Sequence, residues 1–164
     1  MDDQRTVAVG IGELYVTREK SLILASYGLG SCVGVSVYDP ISKIGGLAHV
    51  MLPNSKESSR QISDYKFADI AIPALIQEML KLGAKQRSII CKIAGGAQML
   101  TAPGHVNGFR IGERNVEAVM QLLRQHRITP TAMDTGGSQG RTLRLFIDNG
   151  SVFVRTVGGG DVEL

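Results

Sequence analysis

The order of its apolar segments is the feature of this sequence that most limits its fold. Short segments rich in β-branched residues come first, two segments with helical spacing follow, and short β-type segments return at the end. Glycine contributes 20 of the 164 residues and often stands between these segments, where it allows tight turns. There is no repeating strand–helix–strand array. The order therefore predicts an α+β fold in one domain, residues 1–164.

Nine segments have the alternation or the β-branched content of strands: Thr6–Ile11, Leu14–Thr17, Ser21–Ser26, Val33–Tyr38, Ile44–Met51, Ser88–Ala94, Ile128–Met133, Leu143–Ile147 and Val152–Val157. Helical spacing marks Phe67–Leu82, with Gly83 as its stop, and Glu113–His126, with Gly112 as a candidate N-cap. The last two strands are joined through Gly150, which predicts a hairpin whose turn has positive φ.

Composition excludes several classes of function. The net charge is only +3 and the basic residues are dispersed, so the chain lacks the basic patch of a nucleic-acid-binding protein. Cys32 and Cys91 stand far apart without a CxxC motif, which argues against a zinc ribbon and against a disulfide scaffold. No apolar run is long enough to span a membrane. We expect a soluble cytoplasmic protein without a metal, without nucleic-acid binding and without membrane insertion.

Cys32 follows the glycine loop Gly28-Leu29-Gly30-Ser31, and this setting indicates a nucleophile. A free cysteine is more often a small buried apolar residue. Here the glycines permit positive φ and close approach by a substrate, and the loop N–H groups around Gly30 and Ser31 are expected to face an oxyanion. Cys91 provides the contrast, because packing in its predicted strand explains it fully.

His49 is the histidine that strand pairing brings to Cys32. If Val33–Tyr38 and Ile44–Met51 form an antiparallel hairpin, the numbers of paired residues sum to about 82, within about two. Cys32 and His49 sum to 81, so the two should be opposite or nearly so, unless a slip in register places them on opposite faces. An imidazolium beside a thiol stabilises the thiolate, and the neutral ring can later activate water. The alternative is a core histidine.

A third group should orient the imidazole, as in other catalytic triads. Ser26 carries a hydroxyl at the end of the strand that precedes the glycine loop. From the residues alone, a turn serine explains this position better than a catalytic one does.

The sequence resembles the chemoreceptor glutamine deamidase family CheD of bacteria and archaea. The matching blocks span about residues 8 to 160, and their order and spacing together are specific although each is weak alone: Gly28–Val33, Asp39, Gly46–Pro53, Lys92–Ala97, Ile111–Val116, Asp134–Gly137, Gly140-Arg141, Val154-Arg155 and Gly158–Gly160.

The resemblance implies a Cys–His–Thr triad in which the nucleophile is Cys32, the base is His49 and the third member stands at position 26. This chain has Ser26 there, which keeps the hydroxyl and loses the methyl group that restricts χ1. It further implies layered mixed sheets with two main helices outside, similar to deamidating-toxin cysteine hydrolases.

The implied activity is deamidation of specific glutamines in methyl-accepting chemotaxis receptors through a thioester, with no cofactor. The implied partners are the receptor's cytoplasmic helices and a CheC-type phosphatase in chemotactic adaptation.

Two other functions remain open from the residues. The chain could be a cysteine hydrolase for a small amide, which a deep closed pocket would favour. It could instead be a catalytically idle adaptor that binds CheC or the receptor, with Cys32 unreactive. A phosphate-binding glycine loop is excluded, because neither a P-loop lysine nor a helix follows Gly30.

Overall fold

The computed structural model describes residues 3–57, 64–99 and 110–164, and it has the α+β fold that the sequence predicts. Ten strands and two helices lie in these ranges: β1 Arg5–Ala8, β2 Leu14–Thr17, β3 Leu22–Leu29, β4 Val33–Asp39, β5 Ile44–Val50, α1 Ala68–Leu82, β6 Ile90–Gly95, α2 Ile111–Gln125, β7 Ala132–Thr135, β8 Arg141–Phe146, β9 Val152–Thr156 and β10 Asp161–Glu163.

The strands form two mixed five-stranded sheets. We call the one ordered β2-β5-β4-β6-β7 the central sheet and the one ordered β1-β3-β8-β9-β10 the outer sheet. Each sheet has one parallel pair at an edge, β6 with β7 and β1 with β3, and its other pairs are antiparallel. Both helices pack on the face of the central sheet that is turned away from the outer sheet.

The alternation in β4 explains why the central sheet lies between two layers. Val33, Val35 and Val37 pack with the helices, whereas Tyr38 packs in the layer between the sheets. Every residue of β4 and β5 is buried. Because successive side chains of a strand point to opposite faces, a strand covered on both faces must be apolar or small at nearly every position.

Several boundaries differ from the predicted ones, for local reasons. Strand β3 extends to Leu29 through a register shift between Ser26 and Leu29. The predicted N-cap at Gly112 is wrong, since α2 begins at Ile111 after Arg110, whose φ is 59°. Gly112 lies in the first turn, where a Cβ would stand 2.3 Å from the carbonyl oxygen of Ala97. Strand β10 was not predicted.

Two predicted glycine positions are confirmed, and a third turn depends on Asp39. Gly83 ends α1 in the left-handed conformation, and its N–H donates to the last carbonyls of the helix. Gly150 has a φ of 77° in the turn between β8 and β9. Asp39 ends β4, and its carboxylate accepts backbone N–H groups of the following turn, from Ile41 at 2.9 Å and Ser42 at 3.4 Å.

Asp39 also joins this turn to the segment after α1, because it accepts the N–H of Lys85 at 3.0 Å. The carboxylate is 1% exposed. Burial would raise its pKa, but the hydrogen bonds from Lys85, Ile41 and Ser42 outweigh burial and lower the pKa below its usual range.

We predict that Asp39→Ala lowers the free energy of unfolding at pH 7 by about 2–4 kcal/mol, because three N–H groups lose a charged acceptor. The folded-state pKa is lowered, so this contribution is complete above the unfolded value of about 3.9 and is lost as the pH falls through the folded value. Urea unfolding of both proteins from pH 7 downwards measures this, with a difference that shrinks in acid. Asp148→Ala is the control, since Asp148 is an exposed turn residue. A loss no larger for Asp39→Ala than for the control contradicts the prediction.

Candidate active site

Strands β4 and β5 place Cys32 and His49 on the same face of the central sheet. Their register pairs Val33 with Val50 and Gly34 with His49, so paired numbers sum to 83, and the predicted hairpin is confirmed within its stated error. Cys32 immediately precedes β4 and, if the ladder is continued, stands opposite Met51. His49 is two residues from Met51, so it is the diagonal neighbour of Cys32 rather than its direct partner. Cys32 packs in the layer between the sheets.

The imidazole of His49 is held by a backbone carbonyl. Its Nδ1 lies 3.0 Å from the carbonyl oxygen of Val9, in the segment that follows β1, and the residue is 2% exposed. A carbonyl only accepts, so Nδ1 carries the hydrogen and Nε2 has a free lone pair. Within the described ranges, Nε2 is buried and has no hydrogen-bond partner. The ring is therefore held in one orientation, with Nε2 able to accept a proton.

Ser26 does not hydrogen-bond the ring of His49. Its hydroxyl is fully buried and donates to the same Val9 carbonyl, at 3.1 Å. Ser26 and His49 thus share one acceptor, and the group in direct contact with Nδ1 is the Val9 peptide. The Val9 carbonyl could not be predicted from the sequence, because every residue type has a backbone carbonyl.

Burial sets the protonation of both side chains. It raises the pKa of the Cys32 thiol, an effect that the thiol's own backbone N–H partly opposes. It lowers the pKa of His49, against the hydrogen bond to Val9 and the charge of Glu13. Both shifts favour the uncharged forms, a neutral thiol and a neutral imidazole. The sequence analysis expected an imidazolium that lowers the thiol's pKa, and the difference arises because desolvation disfavours both charged forms.

The glycine loop uses its two glycines differently. Gly28 has a φ of 65°, as expected. Gly30 is not among the glycines with positive φ. A Cβ there would stand 3.2 Å from Cγ of Met99, so a larger residue would have to displace that side chain.

Three successive carbonyls of this loop are each held by a hydrogen bond. Backbone N–H groups of the turn at residues 95–97 hold the carbonyls of Gly30 and Cys32, both at 2.8 Å, and Asn115 holds that of Ser31 at 2.9 Å. In a trans peptide the N–H points opposite to the carbonyl. The N–H groups of Ser31 and Cys32 therefore point away from these hydrogen-bond partners. The predicted oxyanion residues are Gly30 and Ser31, whereas the N–H groups fixed by these carbonyl contacts belong to Ser31 and Cys32.

The 95–97 turn is itself strongly constrained. Gly95 has a φ of 111°, and a Cβ there would stand 2.2 Å from the Cys32 carbonyl oxygen. The buried Arg141 guanidinium donates to the carbonyls of Gly95, at 3.1 Å, and Gly136, at 2.6 Å, and it lies 3.3 Å from Asp134. These residues appear in motifs of the sequence analysis, which gave them no role.

No group of three or more histidine, cysteine or acidic side chains that could hold a metal ion occurs in residues 3–57, 64–99 and 110–164. In the same ranges, no helix has the length and apolar character to cross a bilayer.

Comparison with known proteins adds relatives along the full chain. A family model described as CheD chemotactic sensory transduction matches residues 51–156. A Symbiobacterium thermophilum protein named "Probable chemoreceptor glutamine deamidase CheD" is 46% identical over 165 residues, which cover 100% of both chains. Proteins of the same name from Caldanaerobacter subterraneus and Clostridium botulinum are 44% and 41% identical, covering 96% and 99% of this chain and 97% and 99% of their own.

Among solved structures, the hypothetical protein YfiH of Bacillus licheniformis aligns with a TM-score of 0.47 at 18% identity. The alignment covers 84% of this chain and 61% of that one.

We predict that Cys32 reacts with iodoacetamide at neutral pH through its pairing with His49. In a plot of alkylation rate against pH, proton transfer from the thiol to Nε2 gives a shoulder. The shoulder begins below pH ~6.5, where the imidazolium loses its proton and Nε2 can accept the thiol proton. A second rise in rate follows at higher pH, where the thiol itself ionises at its raised pKa. His49→Ala should remove the shoulder and keep the upper rise. Mass spectrometry of peptides labelled from pH 5 to 10 measures both. Cys91, whose pKa burial raises to about 12, is the internal control. A shoulder that survives His49→Ala contradicts the pairing.

Proposed function

The chain belongs to the CheD family, and from that membership we propose that it is a protein-glutamine deamidase that converts glutamines of chemotaxis receptors to glutamate. Such an enzyme is a hydrolase that acts on a linear amide. The relatives bear that activity in their names and align with this chain along nearly its whole length.

The catalytic part of the proposal depends on the buried Nε2 of His49, which lies on the same face as Cys32 and has no hydrogen-bond partner among the described residues. A histidine kept only for packing would have both ring nitrogens satisfied, because a buried acceptor without a partner costs stability. Here one nitrogen is fixed on the Val9 carbonyl and the other is left available to accept a proton.

In the first step the thiol of Cys32 attacks Cδ of the substrate glutamine while His49 Nε2 takes the thiol proton. The carbonyl oxygen becomes an oxyanion, which the N–H groups of Ser31 and Cys32 stabilise. The C–N bond then breaks, the imidazolium returns its proton to the leaving nitrogen, and ammonia departs. The product is a γ-glutamyl thioester on Cys32.

In the second step neutral His49 removes a proton from water, whose oxygen attacks the thioester carbonyl. The same N–H groups stabilise the second oxyanion. The C–S bond breaks and the thiolate regains the proton from the imidazolium, leaving glutamate in the receptor. The lowered pKa of His49 suits this role, because the ring is neutral at physiological pH. Neither step requires a metal or an organic cofactor.

Exposed apolar side chains near Cys32 support a protein substrate over a small amide. Met51 and Met99 are 38% and 43% exposed. Met51 directly follows β5, opposite Cys32 if the ladder is continued, and Met99 lies over Gly30. Apolar groups around a reactive centre favour the face of a partner protein over a small polar amide. We propose that the substrates are the cytoplasmic helices of the receptors and that the enzyme acts in the cytoplasm.

We further propose that a CheC-type phosphatase binds this chain in chemotactic adaptation, which the family resemblance supports. Titration calorimetry with the purified phosphatase tests the binding directly. The alternative is an adaptor in which Cys32 is not catalytic. Such an adaptor would bind the phosphatase, and the receptor would show the same mass after incubation with wild type and with Cys32→Ala.

We predict that wild type deamidates a receptor cytoplasmic fragment and that Cys32→Ala does not, although it folds, because only the nucleophile is lost. Intact mass spectrometry measures the reaction, since each exchange of an amide for a carboxylic acid adds about one dalton. Cys91→Ala is the matched control and should retain the activity. Activity in Cys32→Ala, or its loss only in Cys91→Ala, refutes the assignment.

The third position of the triad gives a separate prediction. We expect Ser26→Ala to lower kcat by about three- to ten-fold, because the hydroxyl supports the Val9 carbonyl while the ring keeps its own bond to that carbonyl. Ser26→Thr should stay near wild type, since it keeps the hydroxyl. Steady-state kinetics with the receptor fragment measures both. A loss in Ser26→Ala as large as that in His49→Ala would show that the hydroxyl itself orients the ring during turnover.

A further inference from the structure

Asn115 bridges the two chain segments that carry the reacting side chains. It lies in α2 and is fully buried. Its Nδ2 donates to the carbonyl of Ser31 at 2.9 Å and to the carbonyl of Met51 at 2.8 Å. Ser31 immediately precedes Cys32, and Met51 follows His49 by two residues.

Asn115 joins the two segments at a point beyond the last hydrogen-bonded pair of β4 and β5. The pairing of β4 with β5 begins at Val33 and Val50, so Cys32 lies just beyond the last pair. The two carbonyls that Asn115 binds are both acceptors and cannot bond each other. A primary amide nitrogen has two hydrogens and can join them. Asn115 therefore continues the connection between the two segments past the end of the ladder.

The helix that carries Asn115 is held in place against the nucleophile loop. One turn earlier, Gly112 packs so closely on the 95–97 turn that a Cβ would stand 2.3 Å from the Ala97 carbonyl oxygen. The same turn holds the carbonyls of Gly30 and Cys32. The helix that carries Asn115 is therefore packed against the same turn that holds the Cys32 loop.

Stability alone does not account for an asparagine at this position. Its Oδ1 is buried without a hydrogen-bond partner among the described residues. Asparagine is also a weak helix former, and an unsatisfied buried acceptor is unfavourable. Asn115 thus combines a low helix propensity with an unsatisfied buried oxygen, close to Cys32 and His49. Such unfavourable residues are expected where a fixed geometry serves function.

We propose that Asn115 is a positioning residue that sets the distance between the Cys32 thiol and His49 Nε2 by joining the Ser31 and Met51 carbonyls. The inference rests on the proposed function and deepens it. Asn115 touches neither the substrate nor the reacting atoms. It acts by keeping the two segments at a fixed separation, on which proton transfer between thiol and imidazole depends.

The test measures a property that a merely structural residue would not change. In Asn115→Ala we expect the neutral shoulder of Cys32 alkylation to disappear, as in His49→Ala, while the upper rise remains. With the receptor fragment, kcat should fall by about ten- to hundred-fold and KM should stay within about two-fold, because substrate contacts are intact. Asn115→Ser keeps one donor in a smaller side chain and should fall between wild type and Asn115→Ala.

Val119→Ala is the matched control for lost stability. Val119 is also fully buried in α2, packs with the helices and the central sheet, and bonds neither carbonyl. We expect its thermal midpoint to fall while the shoulder and the kcat of the folded protein remain at wild-type values. If Asn115→Ala is unfolded, Asn115→Ser gives the same comparison.

A wild-type shoulder in the folded Asn115 variant overturns the inference, as does a loss of the shoulder in Val119→Ala of the same size. The alkylation assay needs no receptor. Absence of deamidation by the wild type therefore refutes the proposed function without deciding the role of Asn115. A wild-type alkylation profile equal to that of His49→Ala refutes the pairing and the inference together.

Discussion

The antiparallel pairing of β4 with β5, in a sheet covered on both faces, is the constraint on which the rest of the structure depends. One face of the pair carries the valines that pack against the helices, and the other faces the outer sheet. A shift of one residue would turn valines toward the outer sheet and His49 toward the helices. The packing of two layers therefore enforces one register, and that register brings Cys32 and His49 to the same side. The core and the candidate site are specified by the same contacts.

The sequence was sufficient for the parts of the fold that depend on alternation and turn residues. The β4–β5 hairpin followed from two alternating segments around Asp39, and α1 followed from its spacing and Gly83. Strand β10 could not be predicted in this way. Asp161 and Glu163 are its exposed end residues, and pairing with β9 and ion pairs from Arg144 and Arg155 to Asp161 hold it. Such contacts between distant residues have no local pattern.

The candidate site shows the same division. Cys32 and His49 carry chemistry in their side chains, so residue type and spacing predicted their proximity. The Val9 carbonyl could not be predicted, because its role comes from the backbone that follows β1. Asn115 and Gly95 stood in recognisable motifs, but their contacts with the Cys32 segment exist only after the chain has folded. Burial shifts both pKa values toward the uncharged forms, which the sequence could not predict because no single-sequence pattern reports how much water reaches a group.

The raised pKa of Cys32 also has a consequence for the chemical durability of the protein. Peroxides oxidise thiolates rather than thiols, and the irreversible steps to sulfinic and sulfonic acid begin from that first reaction. A Cys32 that is 7% exposed and protonated at rest offers little thiolate to an oxidant. It becomes strongly nucleophilic only while its proton is on His49, so its oxidation, like its alkylation, depends on that histidine. Burial and a raised pKa therefore favour slower oxidation of Cys32 than of an exposed thiolate, without a disulfide.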